Sequence, residues 1–158
     1  MSRHRKQKRD AGNQGQLAEK RHRLLDANLP HVHRLIREAK AAGDPDPVVV
    51  VAELGDFQGR QCAIALLRGR MGLPPDEANR RVDKAIRRSP SPDRVPAFVF
   101  TLTPAEAEWM LPHTSPTAAR SVPRALNGLR PGQYLVVCVA GKGNTYMGIE
   151  LPPAPEAN

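Results

Sequence analysis

Residues Val48–Leu54 read VVVVAEL, a run of β-branched and apolar side chains unbroken by a polar residue until Glu53. A strand with one wet face alternates apolar and polar residues; a continuous run belongs to a strand covered on both faces. Gly55-Asp56 then turns the chain, and Gln58–Met71 reads as a helix, with Phe57, Ile64, Leu67 and Met71 recurring along one side. Gly72-Leu73-Pro74-Pro75 breaks that helix, and a second one runs to Arg88, turning Ala78, Val82, Ala85 and Ile86 inward. Asp76 and Glu77 in its first turn and Arg87 and Arg88 in its last complement the helix dipole.

Ser89-Pro90-Ser91-Pro92 stops the second helix, and Val95–Leu102, rich in Val and Phe, is the next predicted strand. Thr103, Pro104 and Glu106 have the spacing of a capping box with proline at the first helical position, opening a helix that carries Trp109, Met110 and Leu111. A further helix is expected from Ser115 to Asn127, interrupted by Pro123. Gln133–Ala140 and Asn144–Leu151 form a strand pair joined by the hairpin loop Gly141-Lys142-Gly143-Asn144. The expected order is β-α-α-β-α-(α)-β-β: an α+β fold, with a small mixed or antiparallel sheet of about four strands packed on helices and a C-terminal β-hairpin.

Upstream of Val48, Asp44-Pro45-Asp46-Pro47 reads as an extended connector. Before it, Pro30 suits a helix start, Val32, Leu35, Ile36 and Ala39 form a stripe, and Gly43 suits a helix end. Leu17–Ala27 has a weaker helical pattern, and Met1–Gln16 has no hydrophobic period. The expected organisation is a basic, largely disordered arm over 1–28, an amphipathic helix over 29–43, an α+β domain over 44–151 and a loose tail over 152–158.

The charge of the 158-residue chain, +8, is concentrated in its leading segment. Residues 1–43 hold eleven Lys/Arg against four Asp/Glu, whereas residues 44–158 hold thirteen against twelve. A basic segment on a nearly neutral body is the pattern of an arm that touches a polyanion. Arg3, Arg5, Lys6, Lys8, Arg9, Lys20, Arg21 and Arg23 are the expected nucleic-acid contacts, and RNA or the ribosome the expected partner. The six aromatic residues (Phe57, Phe98, Phe100, Trp109, Tyr134 and Tyr146) all lie outside that basic segment, so binding by the arm alone is expected to ignore base sequence.

The longest apolar runs, Cys62–Leu67 and Leu135–Ala140, are far shorter than a membrane span needs. Cys62 and Cys138 sit in those runs without metal-ligand spacing and read as buried, reduced thiols of a cytoplasmic protein. No metal, cofactor or catalytic set is expected. Two weaker patterns point elsewhere. Glu53 and Asp56 at the end of the first strand have the composition of an acid–base pair in a small-ligand enzyme, against the simpler reading of a turn in which Asp56 caps the next helix. Gly141-Lys142-Gly143-Asn144 has the glycines and lysine of a phosphate loop, but a strand follows it, which makes it a hairpin turn.

The run from Val48 to Pro90 resembles the C-terminal domain of the bacterial ribosomal stalk protein and the Clp protease adaptor of similar architecture. Arg68, Gly72, Leu73, Glu77, Ala78 and Val82 stand where those domains have a helix end, a Gly-Leu turn and a Glu-Ala helix start. Phe98–Met110 (FVFTLTPAEAEWM) is similar to the adaptor's second strand and acidic helix start. The resemblance implies a sheet-on-helix domain whose second helix meets protein partners. Arg80, Arg81 and Lys84 are loose counterparts of the stalk domain's factor-binding lysines and would meet an acidic partner. The adaptor's pocket acids have Glu53-Leu54-Gly55-Asp56 in their place. The expected function is non-enzymatic: attachment to RNA or the ribosome through the arm, with the body as a protein-contact surface. A protein-only adaptor with an unstructured arm is the alternative.

Overall fold

A computed structural model describes residues 3–55, 57–87, 97–111, 118–141 and 143–153. The elements are α1 (Arg3–Ala41), β1 (Val48–Glu53), α2 (Phe57–Met71), α3 (Pro75–Arg87), β2 (Ala97–Leu102), α4 (Pro104–Met110), α5 (Ala118–Asn127), β3 (Gln133–Ala140) and β4 (Gly143–Glu150). Past α1, their order is the expected one. The strands form a single mixed sheet in the order β2-β1-β3-β4. β1 pairs antiparallel with β2 (Val50 opposite Phe100) and parallel with β3 (Val50 opposite Val137), and β3 pairs antiparallel with β4.

All six residues of β1 are buried. Alternate side chains enter two cores: Val48, Val50 and Ala52 pack with Cys62, Leu66, Ala107, Met110, Leu111 and Val122 from α2, α4 and its end, and α5. Val49 and Val51 pack on the opposite face with Leu24, Leu25, Val32 and Ile36 of α1. β3 divides in the same way, Leu135, Val137 and Val139 to one side and Val136, Cys138 and Ala140 to the other. A third cluster holds α2 to α3 through Leu54, Ala63, Ile64, Leu67, Ala78 and Val82. Helices therefore cover both faces of the sheet.

The leader and the helix expected separately are one helix, α1, which contains Pro30. A proline inside a helix costs about 3 kcal/mol through its missing N–H and ring clash. Against this, Leu24 and Leu25 before it and Val32 and Ile36 after it bury on the same sheet face, which stabilises by roughly 6–12 kcal/mol at 1.5–3 per large apolar side chain. Tertiary burial outweighs the local break. α1 ends where Gly43, at φ +102°, supplies the left-handed residue that closes a helix. Pro123 likewise lies within α5 without interrupting it, with Val122 beside it fully buried.

Two details of α2 differ from expectation. Ile64 and Leu67 are buried, but Phe57 and Met71, assigned to the same side, are exposed because they fall at the two ends of the helix, beyond Ala78 and Val82 of α3, which cover its middle. The expected capping box of α4 is complete, with Glu106 N–H donating to Thr103 Oγ1 at 3.1 Å and Thr103 N–H donating to Glu106 Oε1 at 3.0 Å.

The first turn of α2 lies against the end of β1 with no room for a side chain: a Cβ on Gly59 would sit 1.9 Å from the Glu53 carbonyl oxygen. Backbone cannot retreat there, so Gly59→Ala is expected to destabilise by about 3 kcal/mol and to lower the melting temperature by about 6–12 °C. Gly69→Ala meets only the flexible thioether end of Met110, at 2.6 Å, and is expected to cost under about 1 kcal/mol. Thermal denaturation of the two variants beside the parent chain checks both.

Candidate nucleic-acid interface

The fold separates the bases of α1 into two groups. Lys20 Nζ stands 3.0 Å from Glu53 Oε2 at the end of β1, off the line a hydrogen bond requires, so the contact is an ion pair and Oε2 has no other partner. Arg21 Nε donates to the Ala140 carbonyl at 2.9 Å and Nη1 to Thr145 Oγ1 at 3.2 Å, clasping the β3–β4 hairpin. Lys20 and Arg21, expected to contact nucleic acid, thus serve the ends of the two parallel strands. Arg37 donates to the Pro152 carbonyl, and Lys40 donates to Tyr134 Oη at 2.7 Å. Arg23 is exposed and makes no ion pair among the described residues. Arg3, Arg5, Lys6, Lys8 and Arg9 are on the helical backbone, and their side chains lie outside the described residues. The seventeen residues Arg3–Glu19 give about 26 Å of helix before Lys20, and Gly15 and Gln16 on it are already exposed.

Glu53 is the buried charged residue of the fold, 6 % exposed, and Lys20 already engages its carboxylate. Asp56, its expected partner in acid–base chemistry, lies outside the described residues, as does Lys142 of the glycine-bearing hairpin loop. That loop joins two strands and its neighbourhood is filled by Arg21, whose Nη2 lies 3.3 Å from where a Gly143 Cβ would be. Cys62 and Cys138 are unpaired and buried on opposite faces of the sheet. Burial pushes both thiols up to about 12, with Arg21 lowering Cys138 slightly and Asp26 raising it. Among the described residues no group of His, Cys, Asp and Glu could hold a metal ion, and no helix is long and apolar enough to cross a membrane.

On the body, Arg80 bonds back to the Asp76 carbonyl and lies 3.9 Å from Glu77, so it serves its own helix. Arg80, Arg81 and Lys84 are all exposed and, with Glu77, Ala85 and Phe98, line an open cleft of about 550 Å³ between α3 and β2. Arg60 holds α2 to α3 through Asp83 at 2.9 Å and Asn79 at 3.2 Å. The near-neutral body also conceals a division. Residues 57–87 carry seven Lys/Arg against three Asp/Glu, a net +4, so the remaining six bases and nine acids of residues 44–158 give −3. The α2–α3 hairpin is thus a second cationic region that a two-part count of the chain averages away.

The same region gains an aromatic residue through folding. Trp109 on α4 is 63 % exposed and lines a groove with Arg68 of α2. Sequence reasoning placed Trp109 on the helix opened by Thr103, outside the basic leader. The local signal available was its position beside Glu108 near the end of a seven-residue helix, too short to bury every face. Comparisons with protein-family models, curated proteins and solved structures find no match, so the likeness to the stalk and adaptor domains rests on the quoted residues.

Lys20→Ala leaves the Glu53 carboxylate buried without its cation. The expected loss is about 1–2 kcal/mol, less than the ~3–5 of a fully buried pair, because Lys20 is 40 % exposed and water screens it. Adding Glu53→Gln to that variant is expected to restore part of the stability, read by urea denaturation. With both thiols buried and held protonated, a chromogenic disulfide reagent at neutral pH is expected to label neither in the native chain and both of the two cysteines after denaturation.

Proposed function

We propose that the protein is a non-enzymatic, cytoplasmic RNA- or ribosome-associated binding protein. The leading turns of α1 supply the polyanion contact, and the α3 cleft, with Arg81 and Lys84 beside Phe98, accepts an acidic protein partner. The observation that carries this reading is the division of bases along α1. From Lys20 onward Lys20, Arg21, Arg37 and Lys40 are taken up by the body, while five bases crowd Arg3–Arg9 on helix that precedes the first of those contacts. Five bases within about two turns of helix concentrate positive charge for phosphates, and a helix presents them on a stiff support. Two unpaired, buried cysteines support a reducing compartment.

Arg3, Arg5, Lys6, Lys8, Arg9 and Arg23 are six cations able to displace counterions from RNA. Six such contacts give a slope of log affinity against log salt of about −4, so binding weakens roughly 300-fold from 50 to 200 mM. Replacing Arg3, Arg5, Lys6, Lys8 and Arg9 with Gln is expected to flatten that slope to about −1 in a mobility-shift titration. Retention of RNA unchanged by those substitutions overturns the role of the leading helix. Association with a protein partner that withstands nuclease and high salt favours the protein-only reading, which the Phe98 cleft supports.

A further inference from the structure

The groove between the end of α2 and α4, about 470 Å³ and open to solvent, is formed by Arg68, Gly69, Gly72, Leu73, Trp109 and Met110 together with Ala65. A Cβ on Gly69 would stand 2.6 Å from Met110 Cε and 3.6 Å from Trp109 Cζ3, so both α4 side chains pack over that glycine, whereas Gly72, at φ +63° and with nothing within 4 Å of where its Cβ would be, leaves one side of the groove open. Trp109 keeps most of its surface toward solvent, and Arg68, also exposed, makes no hydrogen bond or ion pair among the described residues. None of the lining residues is acidic, and the α2 segment that supplies Arg68 belongs to the cationic α2–α3 hairpin.

We infer that this groove binds one unpaired base of a single-stranded RNA, stacked on Trp109, with a neighbouring phosphate on the Arg68 guanidinium. A flat ring fits the open side at Gly72 beside an exposed indole, whereas the anchor side chain of a protein partner needs an enclosed, desolvated pocket. The cations favour a phosphate chain, and every base offers a π-face, so the contact tolerates any sequence. The inference rests on the RNA reading above and extends it: phosphate contacts by α1 do not distinguish single from double strands, but a stacking shelf does, because duplex bases are already stacked on one another.

Trp109 is the chain's single tryptophan, so its emission reports on this groove alone. An oligouridylate of about ten nucleotides is expected to quench the emission by about half or more. Duplex RNA with the same number of phosphates, and linear polyphosphate, are expected to bind without quenching. Trp109→Ala is expected to weaken oligouridylate binding about tenfold while leaving duplex affinity unchanged. Arg68→Gln retains the reporter and is expected to weaken oligouridylate binding by about three- to tenfold with a smaller salt slope. Oligouridylate binding with unaltered emission, and with parental affinity in Trp109→Ala, overturns the groove's role and leaves the contact by α1 standing. Quenching by an acidic peptide of alternating Glu and Leu, with RNA silent, overturns it in favour of a protein occupant. Failure of the intact chain to bind any RNA overturns both this inference and the reading beneath it.

Discussion

The structure depends on burying β1 from two sides at once. Its four consecutive valines, Val48–Val51, are all at 0 % exposure, and at ~1.5 kcal/mol each their burial contributes about 6 kcal/mol. That is comparable with the whole net stability of an ordinary domain. Neither face can be left to water, so the chain must bring apolar helices to both. α1 covers the face presented by Val49 and Val51, while α2, α4 and α5 cover that of Val48, Val50 and Ala52. The contact of Gly59 with Glu53 sets how closely the second layer can approach. Pairing β1 in parallel with β3 is the other consequence, because parallel neighbours require a crossover connection.

Most of the element order was legible because the punctuation is strong. Gly72-Leu73-Pro74, the Thr103–Glu106 capping box and the Gly141 turn each restrict the backbone locally, and local restriction survives folding. What escaped was decided by distant partners. Pro30 reads as a helix start from its own chemistry, yet the apolar residues on either side of it share one sheet face. Lys20 and Arg21 read as nucleic-acid contacts in a basic segment. Their partners, Glu53 and the hairpin from Ala140 to Thr145, are 33 to 124 residues away, and no local pattern announces such a pairing. Helical periodicity assigned Phe57 and Met71 a face correctly but could not tell where the cover over that face stops.

The charges show how a composition total can mislead. Segment counts divided the chain into a basic leader and an indifferent body. In three dimensions Lys20, Arg21, Arg37 and Lys40 of the leader are engaged by the body while Arg23 among them is not, and the body divides into a cationic α2–α3 hairpin and a slightly anionic remainder. Part of the basic character, in Lys20, Arg21 and Arg60, is structural and spent on carboxylates and carbonyls. Among the described residues Arg23, Arg68, Arg81 and Lys84 lie exposed on helices without a hydrogen bond or ion pair. That distinction between bases, rather than their number, locates a surface for a polyanion.

The placement of α1 has a consequence for biogenesis. Synthesis runs from the N-terminus, so α1 leaves the ribosome before β1–β4, yet its apolar stripe of Leu24, Leu25, Val32 and Ile36 is closed over in part by Val136, Cys138 and Ala140, a hundred residues or more later. Until β3 emerges, that stripe has only Val49 and Val51 of β1 and, later, Ala97 and Val99 of β2 to cover it. Contacts spanning such long loops form slowly, since the entropy of closure is lost before the contact returns it. The helix translated ahead of the four strands is fully covered only when the third of them arrives, which leaves apolar surface open while the chain is being made.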